Sequence, residues 1–179
     1  TNGWGGMGIY IYTGTVDIFG GKFTGGSVTG KGGGGAIALE DNSSTLNIYG
    51  GEISGNNGNG KGGAIYTKSG GTINMYGGRI AQNKAYRGGG LCLNGSGTLN
   101  MYGGLIENNS STASWDTIPA NSGNVYVAAN AVMNANAGVV RGGGYAVFNL
   151  GTIQTDDANY PATIFYSGLY NMGGVVKGG

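Results

Sequence analysis

The sequence predicts an all-β fold: a right-handed single-stranded parallel β-helix (a β-solenoid) of about six coils, each 26–30 residues long, with two loop insertions. Three observations predict it. First, one phrase recurs: G-T-V-D-I-F-G-G-K-F-T-G-G from Gly14, S-T-L-N-I-Y-G-G-E-I-S-G-N from Ser44, G-T-I-N-M-Y-G-G-R-I-A-Q-N from Gly71 and G-T-L-N-M-Y-G-G-L-I-E-N-N from Gly97. Its marker residues Thr15, Thr45, Thr72 and Thr98 are spaced by 30, 27 and 26 residues, and self-similarity at such a period is the signature of a repeat array. Second, the T-[LIV]-N-[IM]-Y part of the phrase alternates with period two, the pattern of a half-buried strand. Third, glycine supplies 43 of 179 residues, against a usual share of roughly 7%. Much of it stands in pairs at one place in the phrase, where a corner excludes a Cβ. A chain this glycine-rich, with only 9% charged residues, borders on disordered compositions. The regular return of apolar residues argues against disorder.

Each coil reads as three short strands and three corners. The first strand is of the G-G-A-I type, identical at Gly34–Ile37 and Gly62–Ile65, with variants at Gly6–Ile9, Gly88–Leu91 and Gly123–Val125. The second is the alternating strand. The third follows the glycine pair and carries Phe23, Ile53, Ile80, Ile106 and Val140. Parallel stacking at about 4.8 Å then lines up inward columns: Ile9, Ile37, Ile65, Leu91, Val125; Val16, Leu46, Ile73, Leu99, Met133; and Ile18, Ile48, Met75, Met101, Ala135. A slip of one residue would turn every column to solvent, so the register is strongly specified.

Residues 1–179 read as a single domain, with clear repeats over 6–140 and a degenerate remainder over 141–179. In the fifth coil Asn136 replaces the tyrosine and Ala137 one glycine. The insertions are Ser110–Ser122, with Trp115, and Thr155–Gly168, with Asp156, Asp157 and Tyr160. One corner, between the third strand and the next G-G-A-I strand, varies in length and chemistry from coil to coil, as an interaction surface does. Trp4, Asn57–Lys61, Tyr86, Arg87 and Trp115 fall there; with Tyr160 in the second insertion, they are the candidate contacts for a protein or glycan partner. Asn2–Ile9 aligns with Asn83–Leu91, and Gly173–Gly179 aligns with Ala137–Gly143. The end coils are therefore expected to stack on copies of the same chain or on flanking repeats.

The G-G-A-I strands at Gly34 and Gly62, paired with I-x-x-N at Ile53–Asn56, Ile80–Asn83 and Ile106–Asn109, resemble the repeats of chlamydial polymorphic outer-membrane proteins. They are also similar to right-handed β-helix repeats in large bacterial surface adhesins. The resemblance spans about Gly6 to Val140. It implies a secreted adhesive or structural passenger and carries over no catalytic residue.

Histidine is absent, which removes the commonest general base and metal ligand. No G-x-S-x-G elbow, calcium nonapeptide or EF-hand loop occurs. The acids do not recur at one strand position in adjacent coils, as carboxylates facing across a bound sugar would require. No catalytic, cofactor-binding or metal-ligating residue is expected. A net charge of +1 gives no field to recruit nucleic acid, and no apolar run is long enough to span a membrane. The lone Cys92 reads as a small side chain in a strand. The outward residues carry more information. Asp17, Asn47, Asn74, Asn100 and Asn134 form a polar ladder, and Phe19, Tyr49, Tyr76 and Tyr102 an aromatic one. Lys22, Glu52 and Arg79 alternate in sign. Beginning at Thr1 without a signal-peptide pattern, the chain reads as a mature or excerpted extracellular segment. The expected function is a non-catalytic structural or adhesive element, a fibre subunit or a segment of a surface adhesin. A glycan-binding module or a polysaccharide-active enzyme is the alternative.

Overall fold

The structure, a computed structural model, describes residues 8–29, 33–113, 123–155, 164–165 and 168–178. All regular elements among them are β-strands, and all their pairings are parallel. Strands of a single repeat do not pair with one another. Each pairs with its counterpart in the repeat before and the repeat after, so the rest of the repeat serves as the long crossover that parallel pairing requires.

The G-G-A-I positions form a seven-stranded sheet: Ile9–Ile11, Ile37–Leu39, Ile65–Thr67, Leu91–Leu93, Val125–Val127, Val147–Asn149 and Leu169–Asn171. The second sheet has eleven strands. Seven lie on one path: Gly14–Ile18, Ser44–Ile48, Thr72–Met75, Thr98–Glu107, Val132–Arg141, Thr152–Gln154 and Val175–Lys177. Lys22–Thr24, Glu52–Ser54 and Arg79–Ala81 pair along a parallel track, which continues in the second halves of the two ten-residue strands and ends at Ile164–Phe165. Lys84–Ala85 and Ser110–Ser111 form a further short pair.

The inward columns coincide with this register. Leu46, Ile73, Leu99 and Met133 are consecutive partners, as are Ile37, Ile65, Leu91 and Val125, and Ile53, Ile80, Ile106 and Val140. All of them are buried in one contiguous cluster, whereas Ile9, Val16 and Phe23 in the first repeat are only partly covered. Buried aliphatic surface, stabilising by about 25 cal/mol per Å², is the main force holding the repeats together.

The glycine pair between the second and third strands has two separate reasons. At the second glycine φ is positive in the first five repeats, for example +89° at Gly51 and +80° at Gly78, where a side chain is strained. At the first, a Cβ on Gly77 would lie 2.5 Å from the Tyr49 carbonyl oxygen of the preceding repeat. One glycine turns the corner and the other lets the next repeat settle onto it.

Three expectations are corrected, two in the degenerate region and one at the first insertion. Val175–Lys177 does not take the place of Val139–Arg141: Val176 pairs with Ile153 and so joins the Met133 column. The partners of Val139 and Val140 are Ile164 and Phe165, which the sequence reading assigned to an insertion. Ser110 and Ser111, assigned to the other insertion, pair with Lys84 and Ala85. Val147–Asn149 and Leu169–Asn171, unread in the sequence, extend the first sheet because V-F-N and L-Y-N still place an aliphatic residue inward at the first position.

Ile73→Ala is expected to cost about 2–5 kcal/mol through lost transfer energy and the cavity left behind. Tyr76→Ala should cost less, since that ring is 45% exposed. Urea denaturation showing a loss below about 0.5 kcal/mol at Ile73 would contradict the register.

Candidate functional site

The outer face of the second sheet carries three ladders side by side. Thr15, Thr45, Thr72 and Thr98 are in register along one edge. Next to them, Asn47 Nδ2 donates to Asp17 Oδ1 at 2.7 Å, Asn74 to Asn47 at 2.8 Å, Asn100 to Asn74 at 2.8 Å and Asn134 to Asn100 at 2.6 Å. An asparagine amide has both a donor and an acceptor, so one asparagine above another is self-complementary without limit. The third ladder is aromatic. Phe19, Tyr49, Tyr76 and Tyr102 stack with centroids 4.9, 5.0 and 5.1 Å apart and interplanar angles of 7°, 6° and 11°. Each such pair contributes about 0.5–1.5 kcal/mol beyond the area it buries. Tyr49 and Tyr76 therefore spend both ring faces on their neighbours and offer a ligand only edges and hydroxyls. Phe19 is 75% exposed.

Past the glycine corner runs a charge ladder. Glu52 lies 3.4 Å from Lys22 and 3.5 Å from Arg79. Glu107, its side chain only 8% exposed, accepts from Arg79 Nε at 2.7 Å and Arg141 Nε at 2.8 Å. The Arg141 and Arg79 guanidinium groups hold its carboxyl below the usual glutamate range. Elsewhere Glu40 pairs with Lys68 at 2.6 Å and accepts from the Tyr10 hydroxyl, which together lower its pKa too. Asp41 accepts from the Ser43 hydroxyl and amide. Each acid among the described residues is thus already partnered. A carboxylate held ionised between two guanidinium groups is a poor general acid. Among the described residues no three acidic or cysteine side chains converge to hold a metal.

The I-x-x-N asparagines form a second ladder, this one buried. Asn83 Oδ1 accepts from the Asn56 amide at 3.0 Å and from its Nδ2 at 2.9 Å. Asn109 receives the same two bonds from Asn83, and Asn124 from Asn109. Spare donors reach backbone carbonyls, including Ile53 from Asn83 and Ile80 from Asn109. Buried amides persist only when paired in this way. The last place goes to Asn124, just before the Val125 strand, because Gly143 stands where the fifth repeat would otherwise carry its asparagine. Sequence reasoning used these residues only as a motif; the signal for their role was a polar residue at fixed spacing after a buried isoleucine.

This ladder braces the variable corner, where Asn57 bridges Ser27 and Lys84, and Lys61 bridges Arg87. Of the candidate contacts there, Tyr86 and Arg87 are half-buried. Both face a second apolar cluster on the outer side of the first sheet, built from Tyr66, Cys92, Tyr126 and Phe148, with Tyr86 packed against it. The Arg87 guanidinium sits 5.6 Å from the Tyr126 ring centre and Lys61 Nζ 5.6 Å from that of Tyr66, within cation–π range. Burial pushes the Cys92 thiol up to about 12, so it remains protonated and unreactive. Trp4, Trp115 and Tyr160 lie outside the described residues. At the first repeat a cavity of about 360 Å³ opens beside Lys22, Phe23, Thr24 and Asn56.

No family model matches the chain, and neither does any curated protein or solved structure.

Two ladders of the same amide give a direct comparison. Asn83→Ala takes the side-chain acceptor from the buried Asn56 backbone N–H, while Asn56 Nδ2 keeps the Phe23 and Ser54 carbonyls. It is expected to cost about 1–3 kcal/mol for the group left unpaired. Asn74→Ala, where water replaces the lost partners, should cost under about 1 kcal/mol. Equal losses in urea would contradict the assignment of one ladder as buried.

Glu107 has a depressed folded pKa, so its stabilisation is complete above the ordinary glutamate value of 4.5 and is lost as pH falls below it. Between pH 7 and pH 3, Glu107→Gln should therefore flatten the acid limb of the urea midpoint. An unchanged limb would show that the arginine pair does not stabilise the charged form.

Proposed function

We propose that the chain is a right-handed parallel β-helix that serves outside the cell as a non-catalytic structural or adhesive scaffold, as a fibre subunit or a segment of a surface adhesin. Parallel strands joined by crossovers of one repeat are right-handed in nearly all known cases, which supports the handedness. One observation carries the function: among the described residues, the amide, aromatic and carboxylate ladders of the second sheet are occupied by their counterparts in adjacent repeats. Amide bonds to amide, ring stacks on ring and carboxylate pairs with guanidinium. A surface committed to internal contacts gives length and rigidity, as a spacer requires. The resemblance of the G-G-A-I and I-x-x-N repeats to chlamydial outer-membrane and adhesin repeats supports the extracellular setting. A glycan-binding module is the second reading, favoured by the exposed Phe19 ring and by the cations beside aromatic rings at the Tyr86–Arg87 corner.

Incubation with a panel of neutral and acidic polysaccharides tests both readings. The scaffold reading expects no oligosaccharide release and no retention on immobilised glycan. Release of oligosaccharides would overturn it in favour of an enzyme. Retention abolished by Phe19→Ala or Arg87→Ala would replace it with a glycan-binding module.

A further inference from the structure

The exposed amide ladder has opposite charges at its two ends. Its column runs by strand register from Asp17 through four asparagines and Gln154 to Lys177. Both end residues are exposed. Among the described residues, the strands that carry them each have a strand neighbour on one side only. Of the exposed large apolar side chains, Tyr10, Tyr12 and Phe19 lie in the first described repeat and Met172, Val175 and Val176 in the last, with Tyr49, Tyr76 and Tyr145 between them. The interior Tyr49 and Tyr76 have both ring faces stacked on neighbours, whereas Phe19 at the first repeat does not.

We propose that a second copy of this chain docks head-to-tail on these edges, with Lys177 of one copy against Asp17 of the next and both sheets continuing across the contact. This names a partner for the scaffold proposed above and rests on that reading. Charge complementarity selects the orientation. Asp17 accepts from Asn47 on Oδ1 and, having only acceptors, can take a lysine on its second oxygen. Head-to-head packing would instead bring one Asp17 to another.

Register supports the same arrangement. When Lys177 meets Asp17, Val176 falls on Val16 and Val175 on Thr15. The first sheet joins at the same time: Leu169 precedes Val175 by six residues, and Ile9 precedes Thr15 by six. Leu169 therefore falls on Ile9, and Tyr170 on the 43% exposed Tyr10. Val16 and Val176 would be covered together, as their columns are in every interior repeat. A parallel sheet edge offers its partner unsatisfied backbone groups, and a head-to-tail contact that does not close grows into an open filament.

Sedimentation across a dilution series, with negative-stain electron microscopy, tests the contact on the unmodified chain. Expected are filaments with an axial subunit repeat near 34 Å, seven strands at about 4.8 Å, whose association weakens as salt rises. Lys177→Glu and Asp17→Lys should each weaken association about tenfold or more by setting like charges together, and the double reversal should restore it. Circular dichroism checks that each variant still folds, and the salt series needs no variant. A monomer at every concentration, a closed dimer, or assembly indifferent to salt and to both reversals would overturn the proposal. In the monomer case the edges would belong to further repeats of a longer chain. That result leaves the scaffold reading standing, since the polysaccharide assay alone decides it.

Discussion

In-register parallel pairing imposes one constraint on which the rest of this structure depends: each side chain sits about one strand spacing from its counterpart in the next repeat. A position is therefore occupied well only by a residue that tolerates its own kind as a neighbour. Aliphatic residues satisfy this inside, and asparagine satisfies it anywhere because its amide donates on one side and accepts on the other. Tyrosine satisfies it by offset stacking, as at Tyr49 and Tyr76. A lysine or glutamate does not, since like charges in one column repel. This accounts physically for a chain with 9% charged residues and so many asparagines, tyrosines and glycines. Where charges do enter, they alternate in sign, as in the strip through Lys22, Glu52, Arg79, Glu107 and Arg141.

The two amide ladders apply the same chemistry to different ends. On the outer face, Asn47, Asn74 and Asn100 are partly wet, and their bonds mainly hold the side chains in order. Inside, Asn56, Asn83 and Asn109 bond both to each other and to backbone carbonyls of the third strands, those of Phe23, Ile53 and Ile80. There the ladder shapes the backbone: it lets the chain leave the third strand and re-enter the first without burying an unsatisfied peptide group. The adjoining corner is where the repeats differ most, and Tyr86 and Arg87 partly close it over the cluster of Tyr66, Tyr126 and Phe148. A residue there is committed to packing before it is available to a partner.

The same constraint bears on function. Catalysis needs a few side chains with perturbed, unshared chemistry converging on a point. Among the described residues, the self-pairing columns distribute each residue type along a line and pair it with its neighbour in the next repeat. Glu107 shows this most clearly, being the most buried acid among the described residues and also the most completely paired.

The sequence by itself determined the repeat, the three main strands of each repeat and their register among the described residues up to Arg141, because each of these is local: period two along a strand, one interval between copies, and glycines where a Cβ has no room. It also identified the columns of Ile73 and Ile80 and the outer asparagine and aromatic ladders, which follow from register alone. Three features were decided only by the tertiary structure. Asn124 completes the buried ladder although it stands at a different place in its repeat. Phe165 and Val176 take columns that no spacing from Val140 predicts, because pairing tolerates loops of any length between strands. Tyr66, Cys92, Tyr126 and Phe148 are covered on the outer side of the first sheet, where three-residue strands are too short to reveal by alternation which face is buried. In each case the deciding contact is between residues distant in sequence, and it exists only once the stack has formed.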